Sequence, residues 1–152
     1  MESLQNHQPR YVINIMFNQE GIYLSQRTQP GKVMYGLWQV PGGKVEDKET
    51  SLEAVLRETQ EETGIKLNEN QTLLIFNDPE FDCDVYFTYY CGIPLQWTEQ
   101  NKQGPWIIVT IDDYIRMASM NKTTPTHTTC LWYIVGWIYK GLGELDIPIE
   151  NL

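Results

Sequence analysis

One segment, residues 43–65, constrains the fold of this chain most strongly because it contains both a helix start and a helix stop. Thr50 is followed three residues later by Glu53, a pairing that is typical of a capping box at a helix N-terminus. Gly64 stands at the other end, where helices commonly finish in a left-handed residue. The segment therefore predicts a helix from Ser51 to Thr63.

Three glutamates crowd one side of this predicted helix, since Glu61 and Glu62 lie three and four residues after Glu58. Each like-charge pair at this spacing destabilises an isolated helix by roughly 0.2–0.5 kcal/mol. A divalent cation would reverse that cost, and carboxylate oxygens are ligands that suit Mg²⁺ or Mn²⁺. The alternative is a helix face that simply lies in water, as charge runs commonly do.

The spacing of the fixed residues in this segment resembles the signature of the Nudix hydrolase family. That signature reads Gly, five residues, Glu, seven residues, Arg-Glu, an aliphatic residue, any residue, Glu-Glu, any residue, Gly and a final aliphatic residue. The sequence matches it at Gly43, Glu49, Arg57, Glu58, Glu61, Glu62, Gly64 and Ile65. Thr59 departs from it, since an aliphatic side chain is usual there. A match this specific outweighs the alternative of a solvated acidic helix.

The resemblance implies a Nudix fold, an α/β/α sandwich in which a mixed β-sheet lies between helices. It also implies that water cleaves a diphosphate linkage in a nucleoside diphosphate that is attached to another group. The expected cofactor is Mg²⁺, for which Mn²⁺ can substitute. By analogy with the family, the metal ligands are Glu58, Glu61, Glu62, the carbonyl of Gly42 and, from a loop near Trp106, Glu99.

Arg57 and Glu49 have supporting roles in this resemblance. Arg57 is expected to orient the glutamates as part of the catalytic set, and Glu49 is expected to support them from the preceding loop. The attacking water is expected to pass its proton to Glu61 or to Glu58. The sequence leaves open which of these two carboxylates is the base.

Residues ahead of the helix resemble the MutT-like branch of the family. The run Pro41-Gly-Gly-Lys44 matches the residues that lead into the signature in that branch. It predicts a corner where the backbone of Gly43 approaches the substrate and where Lys44 contacts the departing phosphates. Arg27, at the end of a predicted strand, resembles the arginine that contacts substrate phosphate in MutT-like enzymes. A solvated loop cation is the alternative for Arg27.

Three further residues are candidates for recognising the base. Asn121 lies just before the last predicted helix, where the MutT branch uses an Asn amide to read oxidised guanine. An amide offers both a donor and an acceptor, although a turn-forming Asn is the alternative. Trp38 and Trp106 can sandwich a base, whereas tryptophans at strand ends are more often core residues.

The rest of the chain is typical of one domain, residues 1–152, in which residues 1–9 are expected to be flexible. The predicted elements are a hairpin at 11–17 and 22–25, strands at 73–76, 85–91 and 106–110, and helices at 113–119 and 128–142. Asp112 is expected to cap the first of these two helices. Gly141 and Gly143 are expected to close the second.

Composition limits the partners and the compartment. A net charge of −9 disfavours long nucleic acid as a ligand. Residues 43–65 contain seven acidic and three basic residues, so −4 of this charge lies in the segment that carries the predicted metal site. The cysteines, Cys83, Cys91 and Cys130, show no zinc-like or disulfide spacing and are expected to be reduced core residues. No apolar stretch is long enough for a membrane span, so we expect a cytoplasmic protein.

These features predict a Mg²⁺-dependent nucleoside triphosphate pyrophosphohydrolase that acts on a small nucleotide. The expected substrate is 8-oxo-dGTP or another damaged or non-standard purine nucleotide, which is cleaved to the monophosphate and pyrophosphate as the nucleotide pool is sanitised. One alternative is a Nudix hydrolase of a nucleotide sugar, a dinucleoside polyphosphate or a capped RNA end. Another is a Nudix module that senses a nucleotide without cleaving it. The oligomeric state is left open.

Overall fold

A mixed seven-stranded sheet forms the middle of the molecule in the computed structural model, which describes residues 8–144. Its strands are β1 Tyr11–Asn18, β2 Gly21–Gln26, β3 Trp38–Gln39, β4 Gly42–Lys44, β5 Leu73–Asp78, β6 Cys83–Tyr89 and β7 Ile107–Val109. The helices are α1 Ser51–Thr63, α2 Ile111–Ser119, α3 Pro125–Thr129 and α4 Leu131–Glu144, with a 3₁₀ turn at Glu69–Gln71. No helix within residues 8–144 combines the length and the apolar character that a membrane crossing requires.

Strand β1 is the centre of the sheet and pairs with three neighbours. It runs parallel to β6, with Ile13 opposite Val85. It runs antiparallel to β2 near its end and to β4 near its start, where Val12 lies opposite Gly43. The remaining strands extend the sheet outward, since β5 pairs with β6 while β3 and β7 pair with β2. The predicted mixed sheet is confirmed.

Both faces of β1 are largely buried, because helices cover both sides of the sheet. Successive side chains of a strand point to opposite faces. Val12 packs with Val55 of α1 on one face. Ile15 and Phe17 belong to the larger core cluster, which contains Ile134 and the other buried residues of α2 and α4. The fold is therefore the expected α/β/α sandwich.

Helix α1 has the predicted bounds and the predicted caps. Thr50 accepts a hydrogen bond from the backbone N–H of Glu53, and the Glu53 side chain reaches back to the backbone N–H of Thr50. Gly64 ends the helix with a φ of 74°, a conformation that glycine adopts without a steric penalty. The capping box therefore fixes the start of the helix that carries the acidic signature.

The prediction that Asp112 caps the following helix was wrong. Helix α2 begins at Ile111, and its N-cap is Thr110, whose hydroxyl accepts from the backbone N–H of Asp113 at 3.1 Å. The extended backbone of Thr110 brings its short hydroxyl to that orphan N–H. Asp112 lies within the first helical turn instead, where its negative charge suits the helix dipole.

The predicted single helix over 128–142 is two helices in the structure. Pro125 starts α3 earlier than expected, because its fixed φ and missing N–H suit the first helical turn. The chain departs from helical geometry at Cys130, whose φ is −111°, and α4 follows. Gly141 and Gly143 lie inside α4 and do not close it, so the predicted stop was also wrong.

The cysteines follow the prediction only in part. All three are free, and Cys83 and Cys130 are buried. Cys91 is exposed, which corrects the expectation that it belongs to the core. It lies beyond the end of β6, where the chain leaves the sheet. Of residues 1–9, which we expect to be flexible, 1–7 lie outside the described residues.

Candidate functional site

The guanidinium group of Arg57 is the centre of the acidic cluster. It holds Glu49 with two hydrogen bonds, from Nε to Oε2 at 2.7 Å and from Nη2 to Oε1 at 2.9 Å. Its Nη1 donates to Glu58 Oε1 at 2.9 Å and to Glu61 Oε2 at 3.3 Å. Hydrogen bonds from Arg57 lower the pKa of Glu49, and those to Glu49 raise the pKa of Arg57. Arg57 therefore keeps three carboxylates of the signature together.

Arg57 also ties the loop after β4 to helix α1. Its Nη2 donates to the backbone carbonyl of Lys44 at 3.1 Å. Glu49, in turn, accepts a hydrogen bond from the backbone N–H of Glu46 at 3.0 Å, so the loop folds around the carboxylate that Arg57 holds. Glu49 of the loop and Glu58 and Glu61 of the helix thus share one guanidinium group.

The backbone of β4 lies directly against the helix carboxylates, and Gly43 leaves the room that one of them occupies. The backbone N–H of Gly42 donates to Glu62 Oε1 at 3.3 Å. A Cβ atom at Gly43 would lie 2.6 Å from Oε1 of Glu58, closer than real contacts allow. Any side chain at Gly43 would displace the Glu58 carboxylate, which explains the glycine in the signature.

Burial makes the ionised forms of Glu58 and Glu62 costly. Glu62 is only 4% exposed, and burial followed by the charge of Glu58 raises its pKa well above the usual range. Burial also raises the pKa of half-buried Glu58, and the hydrogen bond from Arg57 offsets that effect in part. A bound cation would favour the ionised forms of both carboxylates.

The loop that carries Glu99 caps the C-terminal end of α1. The backbone N–H of Gln96 donates to the Thr63 carbonyl at 2.8 Å, and the hydroxyl of Thr98 donates to the Glu61 carbonyl. These bonds satisfy carbonyls that a helix end otherwise leaves without partners. They hold Glu99 near the cluster, and its charge is one of the causes of the raised pKa of Glu62.

Trp106 takes part in the same cap. Its indole Nε1 donates to the Glu62 carbonyl at 2.9 Å, and the side chain is half-buried. This contact gives Trp106 a positioning function at the end of α1. Stacking on a base, as the sequence analysis suggests for this residue, remains a prediction.

The acidic cluster fits a hard divalent cation by its chemistry. It offers the carboxylates of Glu58, Glu61 and Glu62 from adjacent turns of α1, with Glu99 nearby. Within residues 8–144, no group of three acidic, His or Cys side chains is already arranged around one metal position. The guanidinium of Arg57 engages Glu58 and Glu61 in this arrangement.

The residues predicted to bind the substrate lie in two groups. Gly43 and Lys44 end β4 beside the carboxylates, with the Lys44 side chain exposed. Trp38 lies on β3, where its backbone N–H donates to the Lys122 carbonyl at 2.8 Å, so the segment that follows Asn121 runs beside this strand. Arg27 follows β2, and its Nη1 donates to Gln39 Oε1 at 3.1 Å.

Asn121 and Trp38 also have structural roles, in a turn and in the core respectively, which are the alternatives to base recognition. Asn121 is exposed and has a φ of 57°, a left-handed conformation that Asn tolerates better than most residues. Trp38 is half-buried and packs against the main core. Their proposed contacts with a base therefore add to conformational roles that the structure already assigns.

Three polar residues near the site have no signal in the sequence. Thr98 binds the end of α1, and Gln39 and Gln103 form a side-chain hydrogen bond at 3.0 Å. Gln103 is only 2% exposed although it lies in a loop region. Single polar residues of this kind have no spacing signature, and only the proximity of Gln39 to the Pro-Gly-Gly run hinted at a role.

Comparison with known proteins supports the resemblance to the Nudix family. The NUDIX domain family matches residues 7–126 of this chain. An 8-oxo-dGTP diphosphatase from Proteus vulgaris is 46% identical over 48 residues, which are 32% of this chain and 42% of that protein. An m7GpppN-mRNA hydrolase from Xenopus laevis is also 46% identical over 48 residues, again 32% of this chain but 16% of that protein. The chain therefore matches less than half of the length of these curated relatives.

A solved MutT structure, from work on Aliivibrio salmonicida and Vibrio cholerae, extends the similarity over most of the fold. It is 27% identical, has a TM-score of 0.55, and the match covers 72% of this chain and 86% of that one. The NUDIX match spans most of the chain, and Arg57 holds three carboxylates of the signature, those of Glu49, Glu58 and Glu61, in one cluster. This chain therefore belongs to the Nudix family.

Proposed function

We propose that this protein is a Mg²⁺-dependent Nudix hydrolase that cleaves nucleoside triphosphates to the monophosphate and pyrophosphate, with 8-oxo-dGTP or a related damaged purine nucleotide as the preferred substrate. The observation that carries the proposal is the arrangement around Arg57, which holds Glu49, Glu58 and Glu61 together. The 48-residue similarity to an 8-oxo-dGTP diphosphatase supports the choice of substrate.

The roles that we assign to the carboxylates of the cluster follow from how exposed each of them is. Glu58 and Glu62, half-buried and buried, would hold the cation with Glu99 and the carbonyl of Gly42. A bound Mg²⁺ would neutralise phosphate charge and lower the pKa of a bound water molecule. The Glu61 side chain is about half exposed, at 51%, and is therefore the carboxylate that we assign as the base for the attacking water.

The substrate would be oriented by groups on either side of this cluster. Lys44, exposed at the end of β4, and Arg27, after β2, supply positive charge for the phosphates. Trp38 and Asn121 lie at neighbouring segments, where the ring would stack on the base and the amide would read its edge. Trp106 would add stacking surface only if its ring remains accessible while its nitrogen holds α1.

The proposal also includes the setting of the reaction. Three free cysteines favour a reducing compartment, and we place the activity in the cytoplasm, where nucleotides are synthesised and oxidised. The net charge of −9 favours small nucleotides, received through a cation, over long nucleic acids.

The test is a panel of nucleotides with the purified protein and Mg²⁺. We expect the highest kcat/KM for 8-oxo-dGTP, with pyrophosphate as the second product. Glu61→Gln should lose at least about 100-fold in turnover and still bind nucleotide, on the scale expected for a general base. A wild-type protein that binds nucleotides but releases no phosphate product from any of them would instead support a sensing module.

Base recognition needs a variant that preserves the turn at Asn121. Asn121→Ala would combine loss of the amide with strain, because the residue has a φ of 57°. Asn121→Gly removes the amide and keeps that conformation accessible. We expect Asn121→Gly to reduce the ratio of 8-oxo-dGTP to dGTP turnover, and an unchanged ratio would exclude Asn121 as the base reader.

A capped RNA end is the second candidate substrate. The similarity to an m7GpppN-mRNA hydrolase has the same identity and length as the similarity to the diphosphatase, so identity does not separate the two activities. Including a capped oligonucleotide in the panel separates them. Release of the cap nucleotide, faster than hydrolysis of any triphosphate, would favour this second function.

A further inference from the structure

A chain of side-chain hydrogen bonds connects Arg27 to the loop that carries Glu99. Arg27 Nη1 donates to Gln39 Oε1 at 3.1 Å, and Gln39 Nε2 donates to Gln103 Oε1 at 3.0 Å. The backbone N–H of Gln103 donates to the Glu99 carbonyl at 3.1 Å. These hydrogen bonds therefore link the end of β2, β3 and the loop through two glutamine side chains.

Arg27 fixes the direction of every bond in this chain. A guanidinium group only donates hydrogen bonds, so Gln39 must present its oxygen to Arg27 and its nitrogen to Gln103. Gln103 must then present its oxygen, and its buried Nε2 has no hydrogen-bond partner among the described residues. Rotating either amide would place two donors against each other, so the network has one stable orientation.

We infer that Gln39 is a positioning residue that holds the Arg27 guanidinium for contact with a nucleotide phosphate and couples it to the Glu99 loop. This inference rests on the proposed function, in which Arg27 contacts phosphate. A flexible arginine loses side-chain entropy when it binds a ligand, and a partner that holds it in place beforehand reduces that loss. Gln39 is half-buried on a two-residue strand beside Arg27, which suits that role.

Backbone contacts fix the loop that carries Gln103 to β2, so the loop is a firm support for the side-chain network. The isolated bridge between Arg27 and Gln103 brings the two ends of the side-chain network together along the backbone. The backbone N–H of Gly104 donates to the Gln26 carbonyl at 2.7 Å, and the hydroxyl of Ser25 donates to the Gly104 carbonyl at 2.6 Å. The loop is thus fixed to β2 independently of Gln39, so removal of the Gln39 side chain should release Arg27 without releasing the loop.

The test compares two substitutions at Gln39. Gln39→Met has a similar shape but can neither accept from Arg27 nor donate to Gln103. Gln39→Glu keeps the acceptor for Arg27, and the Gln103 amide can rotate to donate to the new carboxylate. We expect Gln39→Met to raise KM roughly fivefold with kcat within about twofold, on the scale of one lost hydrogen bond. Gln39→Glu should keep KM within about twofold of wild type.

A double-mutant cycle with Arg27→Ala separates positioning from a general structural role. If Gln39 acts through Arg27, Gln39→Met should have no further effect on KM in the Arg27→Ala protein. If the effects of the two substitutions on KM multiply independently, Gln39 does not act through Arg27 and the inference is overturned. Equal losses of kcat in both Gln39 variants would also overturn it.

Calorimetric binding of inorganic pyrophosphate with Mg²⁺ tests the same inference without turnover. We expect roughly fivefold weaker binding for Gln39→Met, and no difference between the two proteins that carry Arg27→Ala. If wild-type protein hydrolyses no nucleotide but this pattern of binding is seen, the proposed function fails and the positioning role stands. Wild-type protein that binds pyrophosphate no better than Gln39→Met overturns the positioning role, whether or not it hydrolyses nucleotides.

Discussion

Gly43 and Glu58 lie so close together that the Glu58 carboxyl group occupies the space that a side chain at position 43 would need. A Cβ atom at Gly43 would lie 2.6 Å from both Cδ and Oε1 of the Glu58 carboxyl group. These atoms form the end of a flexible side chain, so they can move aside with little change in the fold. The relationship therefore concerns the position of a predicted metal ligand more than the stability of the protein.

Gly43→Ala should therefore reduce activity and leave stability almost unchanged. We expect turnover to fall at least about tenfold, since small misplacements of a catalytic group carry large rate costs. Gly136→Ala is the matched control, because a Cβ atom there meets no atom within 4 Å and the residue lies in α4. The control should retain turnover and gain roughly 0.5–1 kcal/mol of stability. Kinetics and thermal unfolding of both variants measure the contrast.

Arg57→Lys should lose turnover although the positive charge is kept. A lysine cannot reproduce the two parallel hydrogen bonds to Glu49 while also reaching Glu58 and Glu61. We expect kcat to fall about tenfold or more, with a higher Mg²⁺ concentration needed for half-maximal activity. Arg116→Lys changes an exposed ion pair with Asp113 on α2 and should alter neither quantity. Full activity of the Arg57→Lys protein would show that charge alone suffices at this position.

Trp106→Phe distinguishes the positioning role of the indole from stacking on a base. The variant keeps an aromatic ring but loses the hydrogen bond to the Glu62 carbonyl. We expect the free energy of unfolding to fall by about 1 kcal/mol and the Mg²⁺ requirement to rise equally for every nucleotide. Stacking predicts instead a rise in KM that depends on the base. Trp132→Phe, at a residue that is 70% exposed, serves as the control.

His127 should make stability decrease as the pH falls. Burial lowers the pKa of this fully buried imidazole from 6.5 to about 4, and its Nδ1 lies 2.6 Å from the hydroxyl of Tyr114. Between these two pH values the unfolded chain binds a proton that the native state does not, so the native state loses roughly 3 kcal/mol on acidification. His127→Phe should remove this component from the difference between urea unfolding at pH 7.5 and pH 4.5. Tyr114→Phe should retain it, because the histidine still titrates.

The acidic helix and the first hairpin could be predicted because their signals are local. The capping box at Thr50 and the stop at Gly64 satisfy backbone groups within a few residues, so the bounds of α1 follow from adjacent sequence. The break at Cys130 does not, since Thr128, Thr129 and Cys130 lead directly into the apolar sequence of α4 and no Gly or Pro marks the boundary. In this region local backbone geometry overrides the periodicity that suggested one helix.

The site shows the same division between local and distant information. The spacing of Glu58, Glu61 and Glu62 follows from one helix, and the sequence pattern assigns these residues to the cluster. The bond from Trp106 to the end of α1 joins residues 44 positions apart in the chain. The bond from Gln39 to Gln103 spans 64 positions. Contacts of this kind depend on the tertiary fold and have no pattern along the sequence.

If the proposed activity is correct, the cap on helix α1 limits how this Nudix protein can change its substrate. Residues 96–106 hold the same helical turn that carries Glu61 and Glu62, so a remodelled loop would shift the carboxylates with it. The exposed segment around Val33 and Tyr35 has no such attachment to α1 in the described contacts. Changes of specificity that preserve the rate of hydrolysis should therefore accumulate in the segment before β3, whereas changes in residues 96–106 should alter specificity and rate together.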